Sequence, residues 1–293
     1  MKRIHCMKKF LVLSVLCSLI ACSSSSATKE DKPEEQQPKN VYRNPVIDYS
    51  LPDPSVIEGD DGYYYLYATE DIRNLPIHRS RNLVDWEYVG TAFTDRTRPD
   101  FEPNGGLWAP DINKIGDKYV LYYSMSVWGG ELTCGIGCAT ADKPEGPFTD
   151  HGKMFRSNEI NVQNSIDPFY IEDGGKKYLF WGSFRGIYAI ELSDDGLSLK
   201  DGATPQQVAG TAYEGTYIHK KDGHYYFFAS IGSCCEGLKS TYTTVVGRWL
   251  SIERRRTMKN RLEEIRKERG IKQEELAAGL RGCPRLCGQP QPF

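Results

Sequence analysis

Three acidic residues stand at equivalent points of the chain, Asp53, Asp167 and Glu214. If the fold brings them into one cavity, mutual repulsion and partial burial would raise the pKa of at least one of them toward neutrality. A protonated carboxyl beside an ionised one is the pair that acid and base catalysis of glycosidic cleavage requires. For one acid alone, a local turn role is the better interpretation, since Asp before Pro often bonds neighbouring amides. Three such acids within a repeat favour the catalytic interpretation.

The segments that carry these acids belong to a repeat with four copies. Each copy has a first short apolar strand, a Gly/Asp turn and an alternating aromatic strand, and the copies start at Asp53, Ala109, Asp167 and Glu214. Starts roughly 50 residues apart are typical of the four-stranded units of propellers. The sequence therefore predicts an all-β fold whose first strands line a shared axis, with the acids pointing into one central cavity.

Composition limits the classes of protein that fit. The chain has 293 residues, 39% of them hydrophobic and 26% charged, which suits one large folded domain or two small ones. The net charge of −2 provides no overall field that would attract nucleic acid or anionic lipid. The 18 tyrosines favour β structure and surfaces on which sugars can stack.

Residues 42–248 resemble glycoside hydrolase family 43, in particular its endo-α-1,5-L-arabinanases. The resemblance rests on blocks in the family's order, LPDPSVI, LWAPDI, YYSMS, CATADKPEGPFTDHG, NSIDPFY, GSFRGIYAIEL, YEGTYI and GSCCEGLKSTYTTVVGR. It implies a five-bladed propeller and inverting hydrolysis of arabinan or arabino-oligosaccharide, with no cofactor in the chemistry. A structural cation such as calcium occurs in the family, but its site typically uses a His from a region beyond the match. No His follows His224, so we do not expect the cation here.

The same resemblance implies roles for individual residues. Asp53 would be the general base that activates water, Glu214 the general acid, and Asp167 the residue that tunes the pKa of the acid and orients substrate. It also implies a set of residues that line the sugar site, namely Asn164, Ser165, Ile166, Ser183 and Phe184.

The tryptophans are divided between two roles by their positions. Aromatic planes stack on furanose rings, so Trp108, beside the start of a repeat, is the best candidate for a sugar platform. Packing within a blade core is the alternative for this residue. We expect Trp86 to close the first blade and Trp181 to pack between blades.

The N-terminus carries an export signal. Basic residues precede an apolar run from Phe10 to Ile20 that is too short to span a bilayer. The run ends in Leu-Ile-Ala-Cys, which resembles the lipobox of bacterial lipoproteins, so residues 1–22 would be a signal peptide with Cys22 lipidated. An ordinary secretory signal is the alternative. Residues 23–41 are rich in Ser, Lys, Glu and Pro and are predicted to be a flexible tether. The expected location is the cell envelope, lipid-anchored to a membrane on its periplasmic or cell-surface face.

An envelope location would permit disulfides between the remaining cysteines, which are Cys134, Cys138, Cys234, Cys235, Cys283 and Cys287. Their spacing lacks a second ligand pair suited to zinc, and the chain has only 5 His. Structural thiols or disulfides are therefore favoured over a metal site.

Residues 249–293 depart from the family pattern where a fifth blade would be expected. Apolar positions between Lys259 and Leu280 mostly fit helical spacing and resemble the start of a Cro-type helix-turn-helix protein, with Met258 in the place of a start codon. The recognition helix has no counterpart in the ending, so no nucleic acid partner is expected. We expect a short helical tail joined by frameshift, fusion or assembly error, and an incomplete ring of about four blades that exposes two sheet faces.

Alternative functions stay open at this point. Loops rather than catalytic acids decide between endo and exo action, so an exo-acting α-L-arabinofuranosidase or β-xylosidase of the same family is one alternative. An inactive, truncated sugar-binding remnant is the other, because the family pattern stops after Arg248.

Overall fold

The computed structural model describes residues 42–232 and, for the backbone alone, residues 242–249. This part of the chain contains fifteen β-strands and one single-turn helix, so the prediction of an all-β fold is confirmed. The predicted signal peptide, the tether and almost all of the predicted helical tail lie outside the described residues. No helix among the described residues is long and apolar enough to cross a membrane.

The first two sheets each contain four antiparallel strands in sequential order. Sheet 1 is formed by β1 (Ser55–Glu58), β2 (Tyr64–Tyr67), β3 (Pro76–Ser80) and β4 (Glu87–Thr91). Sheet 2 is formed by β5 (Gly106–Ile115), β6 (Lys118–Ser126), β7 (Gly135–Ala141) and β8 (Thr149–Arg156). Strands that follow one another in the sequence are neighbours in each of these sheets, so each sheet is a simple meander.

The other two sheets follow the helix α1 (Ser157–Ile160). Sheet 3 is formed by β9 (Phe169–Asp173), β10 (Lys176–Trp181), β11 (Ile187–Glu191) and β12 (Gln206–Ala209). Sheet 4 has three strands among the described residues, β13 (Glu214–Lys221), β14 (His224–Ile231) and β15 (Tyr242–Trp249). The four predicted repeats are confirmed as the first two strands of the four sheets. β15 runs one residue past Arg248, the predicted end of the domain.

The first hairpin of each sheet turns on the Gly and Asp residues that mark the repeat. In sheet 4 the turn residues Asp222 and Gly223 both have left-handed backbones, with φ of 51° and 71°. Two consecutive positive φ values define the tight turn whose twist matches antiparallel strands, and Asp-Gly is a preferred pair for it. The turn sequence therefore sets the register in which β13 pairs with β14.

Apolar side chains fill the spaces between neighbouring sheets. The core between sheets 1 and 2 is rich in tyrosine and includes Tyr65, Tyr67 and Tyr123, all fully buried. The core between sheets 2 and 3 includes Trp181, which is fully buried as expected. A third core joins sheets 3 and 4 around Phe227. Among the described residues, each sheet thus packs its apolar side chains against a neighbouring sheet, as the blades of a propeller do.

The first strands of adjacent sheets contact each other, β1 with β5, β5 with β9 and β9 with β13. Asp111 of β5 links three of them, because its carboxylate accepts the Tyr170 N–H at 2.7 Å and lies 3.4 Å from the Ser55 hydroxyl. Burial raises the pKa of Asp111 to about 7, although these hydrogen bonds oppose the rise. The Asp111 side chain therefore connects three inner strands through hydrogen bonds.

A buried ion pair fixes the segment that follows β2. Arg98 binds the carboxylate of Glu70, and their side chains are only 10% and 11% exposed. The same carboxylate accepts the backbone N–H of Asn74 at 2.9 Å and of Leu107 at 2.8 Å. Burial acts to raise the pKa of Glu70, but Arg98 and the two N–H groups outweigh it and hold the pKa below its usual value. The end of β2 is thereby tied to the start of β5.

Candidate functional site

The central cavity has a volume of about 850 Å³ and lies where the first strands of the four sheets begin. Eight of the nine residues predicted to act on or bind a sugar line it, namely Asp53, Trp108, Asn164, Ile166, Asp167, Ser183, Phe184 and Glu214. The three acids are far apart in sequence and come together only because the sheets pack around one axis. Ser165 is the exception.

The structure does not support the prediction that Ser165 lines the sugar site. Its side chain is fully buried, and its hydroxyl donates to the Val162 carbonyl at 2.8 Å and accepts the Trp181 indole N–H at 3.1 Å. A side chain held in this way behind the cavity wall has no surface to offer a sugar. Its neighbours Asn164 and Ile166 line the cavity because the backbone reverses between them, with Asn164 at φ 56°.

An unusual backbone conformation recurs at the first residue of three of the four repeats. Asp53, Ala109 and Asp167 each precede a proline and have φ values of 50°, 40° and 61°. Left-handed backbone is rare outside glycine, and Asp tolerates it better than Ala does. Local strain of this kind persists only where surrounding contacts impose it. Three of the four repeats therefore begin with the same left-handed backbone conformation before a proline.

Asp53 is exposed and is oriented by a neighbouring hydroxyl. Thr69 Oγ1 donates to Asp53 Oδ2 at 2.6 Å and accepts the backbone N–H of Ala109 at 2.7 Å. Because the amide can only donate, the single hydroxyl proton of Thr69 is directed to the carboxylate. The hydrogen bond thus orients the Asp53 carboxylate at the cavity with one of its oxygens as an acceptor.

Asp167 is held from both ends. Its backbone N–H donates to the Ser124 hydroxyl at 2.8 Å, and its carboxyl accepts the backbone N–H of Gly215. Burial raises the pKa of Asp167 well above the usual value, and the charges of Asp53 and Glu214 raise it further. The hydrogen bond from Gly215 opposes this shift without cancelling it. A carboxyl in such surroundings favours its protonated form.

Glu214 begins β13 and is half-buried at the edge of the cavity. Ser183 donates a hydrogen bond to its Oε2 at 3.1 Å. Burial raises the pKa of Glu214, the hydrogen bond from Ser183 lowers it in part, and the negative charge of Asp53 raises it. The balance is a raised pKa, which suits a group that must carry a proton near neutral pH.

Several hydroxyl groups near the acids share a position in the repeat. Thr69, Ser183 and Ser230 each lie 16 residues after the start of their own repeat, and all three line the cavity. Thr69 and Ser183 each bond the first residues of the next sheet, at Ala109 and Glu214. Ser124, one place earlier in its repeat, does the same for Asp167. Sequence reasoning had placed Ser183 at the sugar site but missed Thr69, Ser124 and Ser230, although the recurring hydroxyl is visible when the repeats are aligned.

Two tryptophans form an aromatic wall. Trp108 lines the cavity, so it is not confined to a blade core, and its ring centre lies 6.5 Å from that of Trp128. Trp128 is 77% exposed, on the loop between β6 and β7. A Cβ on Gly106 would lie 2.3 Å from the Trp108 indole nitrogen, so only glycine allows the indole to lie there. Trp128 was missed, but its Val-Trp-Gly-Gly context, with glycines and no apolar periodicity, could have indicated a loop platform.

The same loop is anchored by an ion pair at the cavity rim. Glu131 lines the cavity and accepts bidentate hydrogen bonds from Arg185, at 2.9 and 2.8 Å. Gln163 adds a third bond to this carboxylate at 2.7 Å. The loop that carries Trp128 is thereby tied to the segments that carry Asn164 and Phe184.

The described residues contain no group of three or more His, Cys, Asp or Glu side chains arranged to hold a metal ion. Cys134 and Cys138 are buried free thiols, which fits the structural role proposed for them and means that they do not pair with each other. The other cysteines singled out in the sequence lie outside the described part of the chain.

Known glycoside hydrolases are similar to this chain in sequence. Residues 42–275 match the family described as Glycosyl hydrolases family 43, a match that extends beyond Arg248. The chain is 34% identical over 194 residues to a probable arabinan endo-1,5-alpha-L-arabinosidase A of Aspergillus flavus, covering 64% of this chain and 59% of that protein. It is 33% identical over 216 residues to the extracellular endo-alpha-(1->5)-L-arabinanase 1 of Bacillus subtilis, covering 69% and 66%. The chain thus spans less than two thirds of the length of these curated relatives.

Solved structures of arabinanases are similar to this fold. The alpha-L-arabinanase of Cellvibrio cellulosa superposes with a TM-score of 0.63 at 27% identity, covering 70% of this chain and 72% of that chain. A family 43 endo-arabinanase from Bacillus licheniformis superposes with a TM-score of 0.61 at 31% identity, covering 69% and 72%. The family match covers most of the chain, and the chain therefore belongs to glycosyl hydrolases family 43.

Proposed function

We propose that the chain hydrolyses α-1,5-linked L-arabinan with inversion of configuration. The observation that carries this proposal is the convergence of Asp53, Asp167 and Glu214 in one open cavity, where two of the three have raised pKa values. The substrate is inferred from the names of the relatives, which are arabinan hydrolases. A structure of the Cellvibrio cellulosa enzyme, 27% identical to this chain, is described as complexed with arabinohexaose.

The three carboxyls divide the chemistry between them. Asp53, with its proton-accepting geometry, would take a proton from the attacking water, while Glu214 would give its proton to the leaving oxygen. Asp167 interacts electrostatically with both of the other acids, because the charges of Asp53 and Glu214 each raise its pKa. We propose that it tunes the pKa of Glu214 and orients the sugar.

The walls of the cavity support binding of a chain of sugars. Its volume of about 850 Å³ is near the top of the range of about 300–1,000 Å³ that is typical of ligand sites, which leaves room for more than one furanose ring. Trp108 and Trp128 would stack on sugar rings, and Asn164, Ile166, Ser183 and Phe184 would contact the sugar between the acids. These features favour endo action. Exo action is the second candidate, because an exo-1,5-alpha-L-arabinanase from a bovine ruminal metagenome is 29% identical with a TM-score of 0.59.

We also propose that the ring is of the five-bladed type, to which the described residues contribute four sheets. The similarity to family 43 arabinanases supports this count. A crystal structure would show the number of sheets around the axis.

Linear arabinan, debranched arabinan and xylan distinguish the candidate activities. We expect a range of oligosaccharides from linear arabinan at early times, inverted anomers by NMR, and no products from xylan. Asp53→Ala and Glu214→Ala should each lose about 10²- to 10⁴-fold in kcat, and azide should partly rescue Asp53→Ala. Release of monosaccharide alone would favour the exo candidate. Wild-type rates in both variants would contradict the assignment of the acids.

Thr69 provides a test of how the proposed base is oriented. Thr69→Val keeps the shape but removes the hydroxyl, so we expect kcat on arabino-oligosaccharides to fall about 10- to 100-fold with little change in KM. Thr69→Ser restores the hydroxyl and should stay close to the wild-type kcat. A wild-type kcat in Thr69→Val together with a loss in Thr69→Ser would show that the methyl group, rather than the hydrogen bond to Asp53, is what matters.

We further propose that the protein is exported and anchored to a membrane of the cell envelope through Cys22. The Leu-Ile-Ala-Cys sequence after a basic start and a short apolar run supports this. Labelled palmitate should enter the wild-type protein and not Cys22→Ala, which should also leave the membrane fraction or remain unprocessed. Equal labelling of the two proteins would contradict the anchor.

A further inference from the structure

A second cavity, of about 320 Å³, lies at the opposite end of sheet 1 from the catalytic cavity. Asp53 immediately precedes β1, so the catalytic cavity is at the start of that strand. The turn from β1 to β2 is at its far end, and so is the connection from β3 to β4, because successive strands are antiparallel. The second cavity is built from these two connections, and its walls include Tyr63, Arg81, Asn82, Asp85 and Trp86.

The loop between β3 and β4 holds this cavity in a fixed shape. Asn82 Oδ1 accepts the backbone N–H groups of Val84 at 2.9 Å and Asp85 at 2.8 Å. Asn82 Nδ2 donates to Asp85 Oδ2 at 2.7 Å. Leu83 is held in a left-handed conformation with φ of 62°. A ligand would therefore meet a loop that is already ordered, which reduces the entropy lost on binding.

Trp86 supplies an apolar surface to the cavity. Sequence analysis predicted that it closes the first blade, but it lies half-exposed just before β4, the outermost strand of sheet 1. Its indole N–H is already bonded to the Leu83 carbonyl at 3.2 Å. What the side chain can offer a ligand is thus the carbon surface of its ring, the part that stacks on the C–H face of a sugar.

Of the two arginines that line the cavity, one is paired with a carboxylate and the other is not. Arg79 is bound by Glu87, with Nε 2.5 Å from Oε1. The guanidinium of Arg81 lies 3.9 Å from the centre of the Tyr63 ring and forms no ion pair with any carboxylate in the described part of the chain. Its N–H groups can therefore donate to a ligand, and the carboxylate of Asp85 can accept. Two positive and two negative side chains line the cavity, which disfavours a strongly charged ligand.

We propose that this cavity is a second carbohydrate-binding site, specific for neutral sugar units and separate from the catalytic cavity. A stacking surface flanked by a cationic donor and a carboxylate acceptor matches a ring that carries hydroxyls and an apolar face. The identity of the sugar as arabinan rests on the proposed function. Holding the polymer at the far side of the protein would raise its local concentration without contributing to bond cleavage.

The experiment compares a polymer with a substrate too short to reach both cavities. We expect Trp86→Ala to raise KM on linear arabinan roughly fivefold, the equivalent of about 1 kcal/mol, and to leave kcat/KM on arabinotriose unchanged. Its retardation in gels that contain arabinan should also decrease. Arg81→Gln removes the cationic donor and leaves the Trp86 ring in place, so it should show the same pattern more weakly. Tyr88→Ala is the matched control, since Tyr88 is 53% exposed on β4 and does not line the cavity.

Other outcomes overturn the proposal. Equal losses on arabinan and arabinotriose in both Trp86→Ala and Arg81→Gln would mean that the residues support the fold. Wild-type behaviour on both substrates and in the gel would mean that the cavity binds no sugar. If the wild-type protein hydrolyses neither substrate, the proposed activity is wrong. The second site is then tested independently, by whether the wild-type protein is retarded more strongly than Trp86→Ala in gels that contain arabinan.

Discussion

The site depends on one electrostatic constraint, the proximity of the Asp53 carboxylate to two other carboxyls that are partly removed from solvent. Asp53 is exposed and bonded to a hydroxyl that donates to it. Its charge raises the pKa of both Asp167 and Glu214, in addition to the effect of their burial. Burial is the larger cause of both shifts, and the charge of Asp53 adds to it, so both groups hold their protons more strongly than an isolated carboxyl does. An acid and a base can then coexist in one small volume, which is the condition for single-step hydrolysis of a glycosidic bond.

The scaffold satisfies this constraint with a repeated local device. Each inner strand starts at the cavity, and a hydroxyl from the end of the second strand of one sheet bonds the first residues of the next. Thr69, Ser124 and Ser183 make these bonds at Ala109, Asp167 and Glu214. Packing between sheets and placement of the acids are thus linked, because the bonds that orient the site also join neighbouring sheets. A shift of one sheet would change the distances between the charges.

Much of this could be predicted from the sequence, because the repeat is regular. The positions of Asp53, Asp167 and Glu214 within it indicated both the strands and their shared cavity. Ser165 could not be separated from Asn164 and Ile166, since the left-handed turn that buries it depends on contacts distant in sequence. Trp128 was missed for the opposite reason, because it lies in a loop outside the repeat and its role follows from its distance to Trp108. The predicted roles of the acids and the predicted N- and C-terminal segments remain predictions.

A direct test of the electrostatic constraint is the pKa of Glu214, measured by carbon-detected NMR of labelled glutamate in the wild-type protein and in Asp53→Asn. The substitution removes the negative charge and nearly preserves the shape of the side chain. Without that charge the ionised form of Glu214 is less disfavoured, so we expect its pKa to fall toward the usual value. Burial is unchanged, and some elevation should therefore persist. An unchanged or higher pKa in Asp53→Asn would contradict the claim that the charge of Asp53 keeps the proton on Glu214.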